Sequence, residues 1–167
     1  MGMHAHPDEV DLLVQAWRKE RGDLDLTPVE VFSRITRVAK LLDLARKRAF
    51  AAHELEGWEF DVLAALRRAG KPYVLSPGRL VKETLVTSGT MTNRIDRLET
   101  RGFVRREADP DDRRGVLVAL TPSGNKQVDA AFAELIEQER QLLAPMSDQE
   151  RGQLAGLLKV LMAPLAE

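Results

Sequence analysis

Between residues 76 and 122 the chain reads SPGRLVKETLVTSGTMTNRIDRLETRGFVRREADPDDRRGVLVALTP, and no other segment limits the possible folds so tightly. Ser76-Pro77 caps and opens one helix, since proline at the first helical position gives up an N–H that has no partner in the helix anyway. Thr87 or Ser88 caps a second helix, which Gly102 ends. Residues 103–107 and 116–120 then read as two antiparallel strands around the polar loop ADPDDRRG. Helix, turn, helix and charged hairpin in this order form a winged helix-turn-helix. One helix suits the DNA major groove, and the basic loop suits the backbone or minor groove.

The flanking sequence is helical. Val10, Leu13, Val14 and Trp17 recur at i, i+3, i+4 and i+7, which predicts an amphipathic helix over about 8–21, ended by Gly22. Thr27-Pro28-Val29-Glu30 supplies an N-cap, a first-turn proline and a carboxylate for a long helix to about residue 53, with Val31, Ile35, Val38, Leu42 and Ala45 on one stripe. Gly57 precedes a third helix, WEFDVLAALRRA, stopped by Gly70, and residues 71–75 read as one short strand. Thr121-Pro122 starts a sixth helix to about Leu143. Ser147 and Glu150 form a capping-box pattern for a seventh, striped by Leu154, Leu157, Leu158 and Leu161. The expected fold class is mainly α with a small β wing, a winged helix-turn-helix core flanked by N- and C-terminal helices. The apolar faces of those outer helices need partners. A monomer folds them inward and two chains interleave them; the second arrangement is favoured.

Composition narrows the function. The 167 residues fit one domain, and 44% hydrophobic with only 5% aromatic residues suits an aliphatic core of helix on helix. The net charge is −1, yet the stretch from Lys71 to Leu120 holds ten Lys/Arg against seven Asp/Glu. A local basic excess in an acidic whole suits a focused nucleic-acid surface. Absence of cysteine excludes disulfides, thiolate metal sites and thiol chemistry. His4 and His6 fall in the expected N-terminal tail and His53 lacks nearby ligand spacing, so no metal is expected. No nucleophile–base pair or phosphate loop is present either, so neither an enzyme nor a cofactor is expected. The N-terminus lacks a signal-peptide core and no run nears the roughly 18 apolar residues of a membrane span, which predicts a cytoplasmic protein.

Within the fifth helix, Met91, Ile95 and Leu98 form the inward stripe, while Gly89, Asn93, Asp96, Arg97 and Thr100 point the other way, with Thr90 between. Asn93 suits adenine bidentately, and Arg97 suits guanine or a phosphate. Ser76, Arg79, Thr87, Ser88 and Thr90 join them as candidate DNA contacts, with Arg113 and Arg114 at the hairpin tip. Asp109, Asp111 and Asp112 oppose phosphate binding unless they shape the loop through Asx-turns or brace an arginine.

Three further residues stand out. Asp61 lies in a helix that is apolar nearly all round, where a carboxylate is costly unless paired or solvated. Arg94 lies about 60–70° from the centre of the inward stripe at 100° per residue, so it flanks the core. Trp17 sits on the apolar side of the first helix, where a buried indole N–H needs a partner. An Asp61–Arg94 structural ion pair and a packed tryptophan are the plain readings.

The run TSGTMTNRIDRLETRGFVRREADPDDRRGVLVALTPSG and the leucine-rich last helix resemble the MarR family of winged-helix regulators, from about residue 31 to 165. The resemblance implies one MarR-type domain over 1–167, with residues 8–53 and 121–165 as dimerisation helices and 57–120 as the DNA-binding lobe. It implies a homodimer on pseudopalindromic double-stranded operator DNA, one recognition helix per half-site, with Arg113 or Arg114 in the flanking minor groove. Trp17, Asp61 and Arg94 are similar to the trio of the urate-responsive branch. They are therefore the expected ligand site of a repressor released by urate, the indole stacking on the flat anion, Arg94 pairing with it and Asp61 accepting an N–H. Another small anion, such as trans-aconitate or a phenolic acid, and a winged-helix interaction module without sequence-specific DNA binding are the alternatives.

Overall fold

The computed structural model describes residues 6–112 and 114–165. The chain divides into two compact units, with the boundary between Leu44 and Ala45. The first holds α1 (Glu9–Glu20) and the start of α2 (Thr27–Ala51). Asp8 caps α1 by accepting from the N–H groups of Val10 at 2.8 Å and Asp11 at 2.9 Å, and Asp11 returns the bond to the Asp8 N–H at 2.8 Å. Arg34 on α2 donates to both carboxylates, at 2.9 Å and 2.7 Å. That guanidinium, with the Asp11 N–H second, holds the Asp8 carboxyl below its ordinary value. Val10, Val14 and Leu26 pack as a small core with Val29 against it. The first helix thus buries the expected stripe only in part: Leu13 is half-buried and Trp17 is 50% exposed.

One cap differs from expectation. Thr27 is the first residue inside α2, and the Asp25 carboxylate accepts from its N–H at 3.0 Å and its hydroxyl at 2.7 Å. With Thr27 already inside the helix, its N–H has no partner in the helix, and the Asp25 carboxylate satisfies it from two residues upstream.

The second unit contains α3 (Gly57–Arg68), β1 (Val74–Leu75), α4 (Pro77–Thr84), α5 (Ser88–Thr100), β2 (Val104–Ala108), β3 (Val116–Leu120), α6 (Pro122–Leu143) and α7 (Asp148–Met162). Ser76, Thr87, Thr121 and Ser147 are the N-caps of α4 to α7, each accepting from a backbone N–H three residues on. The sheet is antiparallel in the order β1-β3-β2, with Val74 opposite Ala119 and Val104 opposite Leu120. Strand β1 has only two residues because Tyr73, at φ 65°, turns the chain just before it. Leu63 and Leu66 of α3, Leu80 of α4, Met91, Ile95 and Leu98 of α5, Val118 of β3 and Val128 of α6 fill one core. By contrast, α7 buries none of its residues, and Leu154, Leu157 and Leu158 are exposed, as are Phe132 and Ile136 of α6.

A buried carboxylate locks α5 to α3. Glu59 is 1% exposed and accepts from the Glu56 N–H at 2.8 Å and from Arg101 Nη1 at 2.7 Å. Arg101 also donates through Nη2 to the Glu54 carbonyl at 3.0 Å, and its guanidinium lies 4.7 Å from the Phe103 ring centroid. Past Gly102, at φ 72°, the wing begins. At its far end, Thr121 bonds the carbonyls of Gly102 and Phe103, and α6 approaches so closely that a Cβ on Gly124 would sit 2.1 Å from the Phe103 carbonyl oxygen.

Two stability measurements follow from these contacts. Gly124→Ala forces backbone apart and is expected to cost about 3 kcal/mol, read as a lower urea midpoint at unchanged slope. Arg101→Ala leaves the Glu59 carboxylate buried with a single N–H, whereas Glu59→Ala leaves a guanidinium that water reaches. Arg101→Ala is therefore expected to be the costlier of the two, at about 3 kcal/mol. Equal urea midpoints for the two variants would contradict this asymmetry.

Candidate nucleic-acid interface

The fifth helix is anchored from below and open above. Met91, Ile95 and Leu98 are each 0–1% exposed. Ser88, Gly89, Thr90, Asn93 and Arg97 are all exposed, so the helix presents small and hydrogen-bonding groups along its N-terminal half, as base-edge reading requires. Thr87 accepts from the Thr90 N–H at 3.3 Å and the two hydroxyls lie 2.9 Å apart, so the cap also fixes Thr90. On α4, Ser76 accepts from the Arg79 N–H at 3.2 Å, and the Arg79 side chain donates to Glu83 at 3.2 Å. Ser76 and Thr87 thus shape helix ends; Thr87 stands at the start of the reading face, whereas Ser76 and Arg79 line another cleft with Glu107, Ala108 and Asp109 of the wing.

Two of the three acidic residues of the hairpin shape it through backbone N–H bonds. Asp109 accepts from the Asp111 N–H at 2.9 Å, and Asp112 accepts from the Arg114 N–H at 3.0 Å. The loop closes where the Gly115 N–H donates to the Asp112 carbonyl at 2.8 Å. A Cβ on Gly115 would meet that of Asp109 at 2.8 Å. Arg114 is exposed at this tip, and Arg113 lies outside the described residues. At the base of the wing, Arg106 on β2 bonds both Asp96 and Glu99 of α5, the two carboxylates of that helix, and offsets one of their two charges.

Arg94 and Arg97 line a cleft of about 590 Å³ beside the reading face, together with Glu56, Trp58 and Asn93. Arg97 donates to one Glu56 oxygen at 2.7 Å, and the Trp58 indole N–H donates to the other at 2.6 Å. The indole bond first and Arg97 second hold the Glu56 carboxyl below its ordinary value. Both guanidiniums lie over the Trp58 ring, Arg97 at 4.6 Å and Arg94 at 5.4 Å.

Asp61 lies elsewhere in the same unit. It is exposed, pairs with Arg46 at 3.3 Å, and lines a second cavity of about 370 Å³ with Arg46, Phe60, Arg67 and Phe132. The plain expectation of an Asp61–Arg94 ion pair is therefore not met, because Arg46 supplies the counter-charge and Trp58 carries Arg94. Trp17 belongs to the first unit, half-exposed. Sequence reasoning missed Glu56, Trp58, Arg46 and Arg106. An aromatic residue opening a helix was the one local signal, whereas a Glu56–Arg97 contact across 41 residues leaves no periodic trace. Among the described residues no group of three His, Cys, Asp or Glu side chains is arranged for a metal, and no helix is long and apolar enough to cross a membrane; His4 lies outside them.

The MarR family model matches residues 53–115. The chain is 41% identical over 150 residues to the HTH-type transcriptional regulator PecS of Dickeya dadantii (strain 3937), covering 90% of each protein. Among solved structures it is similar to a mutant MarR from E. coli complexed with operator DNA, at TM-score 0.67 and 25% identity, covering 87% of this chain and 97% of that one. It is also similar to Bordetella bronchiseptica BpsR, solved to explain regulation of DNA binding by 6-hydroxynicotinic acid, at TM-score 0.65 and 27% identity over 80% of this chain and 93% of that one. With sequence identity of this level across nine-tenths of its length, the protein belongs to the MarR family of winged-helix regulators.

Proposed function

We propose that the protein is a homodimeric, cytoplasmic transcriptional repressor that binds double-stranded operator DNA through α5 and its wing and leaves it on binding a small planar anion such as urate. The observation that carries the reading is the exposed face from Ser88 to Arg97 on a helix whose other face is fully buried, flanked by a hairpin with Arg114 at its tip. Ser76, Arg79, Thr87, Ser88, Thr90, Asn93, Arg97, Arg113 and Arg114 form the DNA contact set in this reading. The relative solved with operator DNA favours the same partner.

Dimerisation is supported by the apolar rows left exposed on the outer helices. Among the described residues Phe132 and Ile136 of α6 and Leu154, Leu157 and Leu158 of α7 stay exposed, and burying such rows drives association. In this arrangement residues 8–53 and 121–165 join two copies and 57–120 reads the DNA.

For the effector, Arg94 is the pivotal residue. Among the described residues its guanidinium has no carboxylate partner, and it shares the Trp58 ring with Arg97, which suits it to a planar acceptor. Asp61 lines a separate cavity beside Arg46 and Trp17 belongs to the other unit, so these two enter the effector reading through their resemblance to the urate-responsive trio alone. The ligand named for the BpsR structure, 6-hydroxynicotinic acid, is likewise a flat, anionic nitrogen heterocycle, which favours this chemical class over trans-aconitate or a phenolic acid.

Fluorescence anisotropy with the DNA upstream of the protein's own gene tests the reading. A specific regulator is expected to bind it with Kd of about 10⁻⁸ M or tighter, at least about 10³-fold above random duplex at the same salt. Urate is expected to raise that Kd, and Arg94→Ala or Trp17→Phe to weaken the urate response about tenfold. Operator DNA must weaken urate binding by the same factor that urate weakens DNA binding. Equal affinity for both duplexes would leave only an interaction module, and an unchanged urate response in both variants would remove Arg94 and Trp17 from the effector site.

A further inference from the structure

Arg97, a prime candidate for base reading, is already occupied. One of its nitrogens donates to Glu56 at 2.7 Å, and its plane is held over Trp58. The carboxylate cannot swing away freely, because its second oxygen accepts from the Trp58 indole at 2.6 Å. Both side chains of the pair are about half exposed, at 52% and 57%, so water screens the attraction and the bond is exchangeable. Arg106, in contrast, is gripped by two carboxylates at the wing base.

We propose that Glu56 is a specificity-determining residue that competes with DNA for Arg97. The inference rests on the reading that Arg97 faces the operator. A phosphate oxygen offers Arg97 about what Glu56 already gives it, a single charge-assisted bond in water. Moving Arg97 to a phosphate also leaves the Glu56 carboxylate uncompensated near a polyanion. Non-specific DNA therefore gains little by taking the guanidinium. The O6/N7 edge of a correctly placed guanine accepts it bidentately, and only that contact outweighs the bond that is given up. Glu56 thus subtracts from binding at every sequence, and the correct base recovers the loss. This is discrimination by a built-in penalty against the wrong partner.

Glu56→Gln isolates the effect, since the amide oxygen still accepts hydrogen bonds while the competing charge is gone, and the exposed position tolerates the change. Binding to operator and to random duplex of equal length is measured over roughly 50–200 mM salt. The variant is expected to bind random duplex several-fold more tightly, with a log–log salt slope steeper by about one, while the ratio of operator to random affinity falls. Arg97→Gln combined with Glu56→Gln is expected to bind both duplexes more tightly than Arg97→Gln alone but with the same operator-to-random ratio, because Glu56 sets that ratio only through the arginine. An unchanged ratio and slope, or equal weakening on both duplexes, would overturn the proposal. If Arg97→Gln alone weakens operator binding while Glu56→Gln changes nothing, only the role of Glu56 fails. If Arg97→Gln has no effect on either duplex, the DNA-facing reading of Arg97 fails with it.

Discussion

The Glu59 carboxylate, buried in the first turn of α3, is the contact on which the placement of the reading helix depends. A buried charge is tolerable only when its acceptor capacity is used, and here the Glu56 N–H and Arg101 use it. Because Arg101 is the C-cap of α5, this pair fixes one end of that helix to the start of α3. The same guanidinium reaches the Glu54 carbonyl and the Phe103 ring, which fixes the turn before α3 and the entry to the wing. Arg106 then ties β2 to Asp96 and Glu99, and Met91, Ile95 and Leu98 hold the inner face. A helix restrained at its end, its flank and its base loses little freedom on entering a groove, so less of its interaction with DNA is spent on ordering.

Carboxylates recur throughout this lobe as holders of cations. Asp96 and Glu99 take Arg106, Glu56 takes Arg97, and Asp109 and Asp112 bond backbone N–H groups to shape the hairpin. The modest basic excess of the segment is therefore a set of oriented arginines rather than a diffuse positive patch. The Trp58 ring carries the proposed effector arginine and the proposed base-reading arginine on one surface. In the proposed function a ligand that draws Arg94 away acts on Arg97 through this shared ring.

What the sequence made legible was local. Ser76-Pro77, Thr121-Pro122 and the Ser147–Glu150 box declared helix starts because a cap and its partner lie within three residues. The stripe of α5 was legible because one face only is apolar. In α3 the same logic failed. Its helix is apolar on most sides, so periodicity could not tell which carboxylate turns inward. Asp61 looked like the costly one, whereas Glu59, two residues earlier, is buried and Asp61 is solvated beside Arg46. The partners of Glu56 and Glu59 on α5 lie 41 and 42 residues away, set by packing that no window of the chain contains. Trp17 was expected on a packed face and is half-exposed, because Val10, Val14 and Leu26 suffice for the small core beside it.

In the proposed function α5 reads bases and does not merely rest on the phosphate backbone. Asn93 tests it most directly, being exposed in the middle of the reading face. The affinity of Asn93→Ala is compared with that of the unaltered protein across an operator series changed one base pair at a time. The account expects discrimination to vanish at one position per half-site, a loss of about 1–3 kcal/mol there, and to persist at the others. Uniform weakening across the whole series would contradict it.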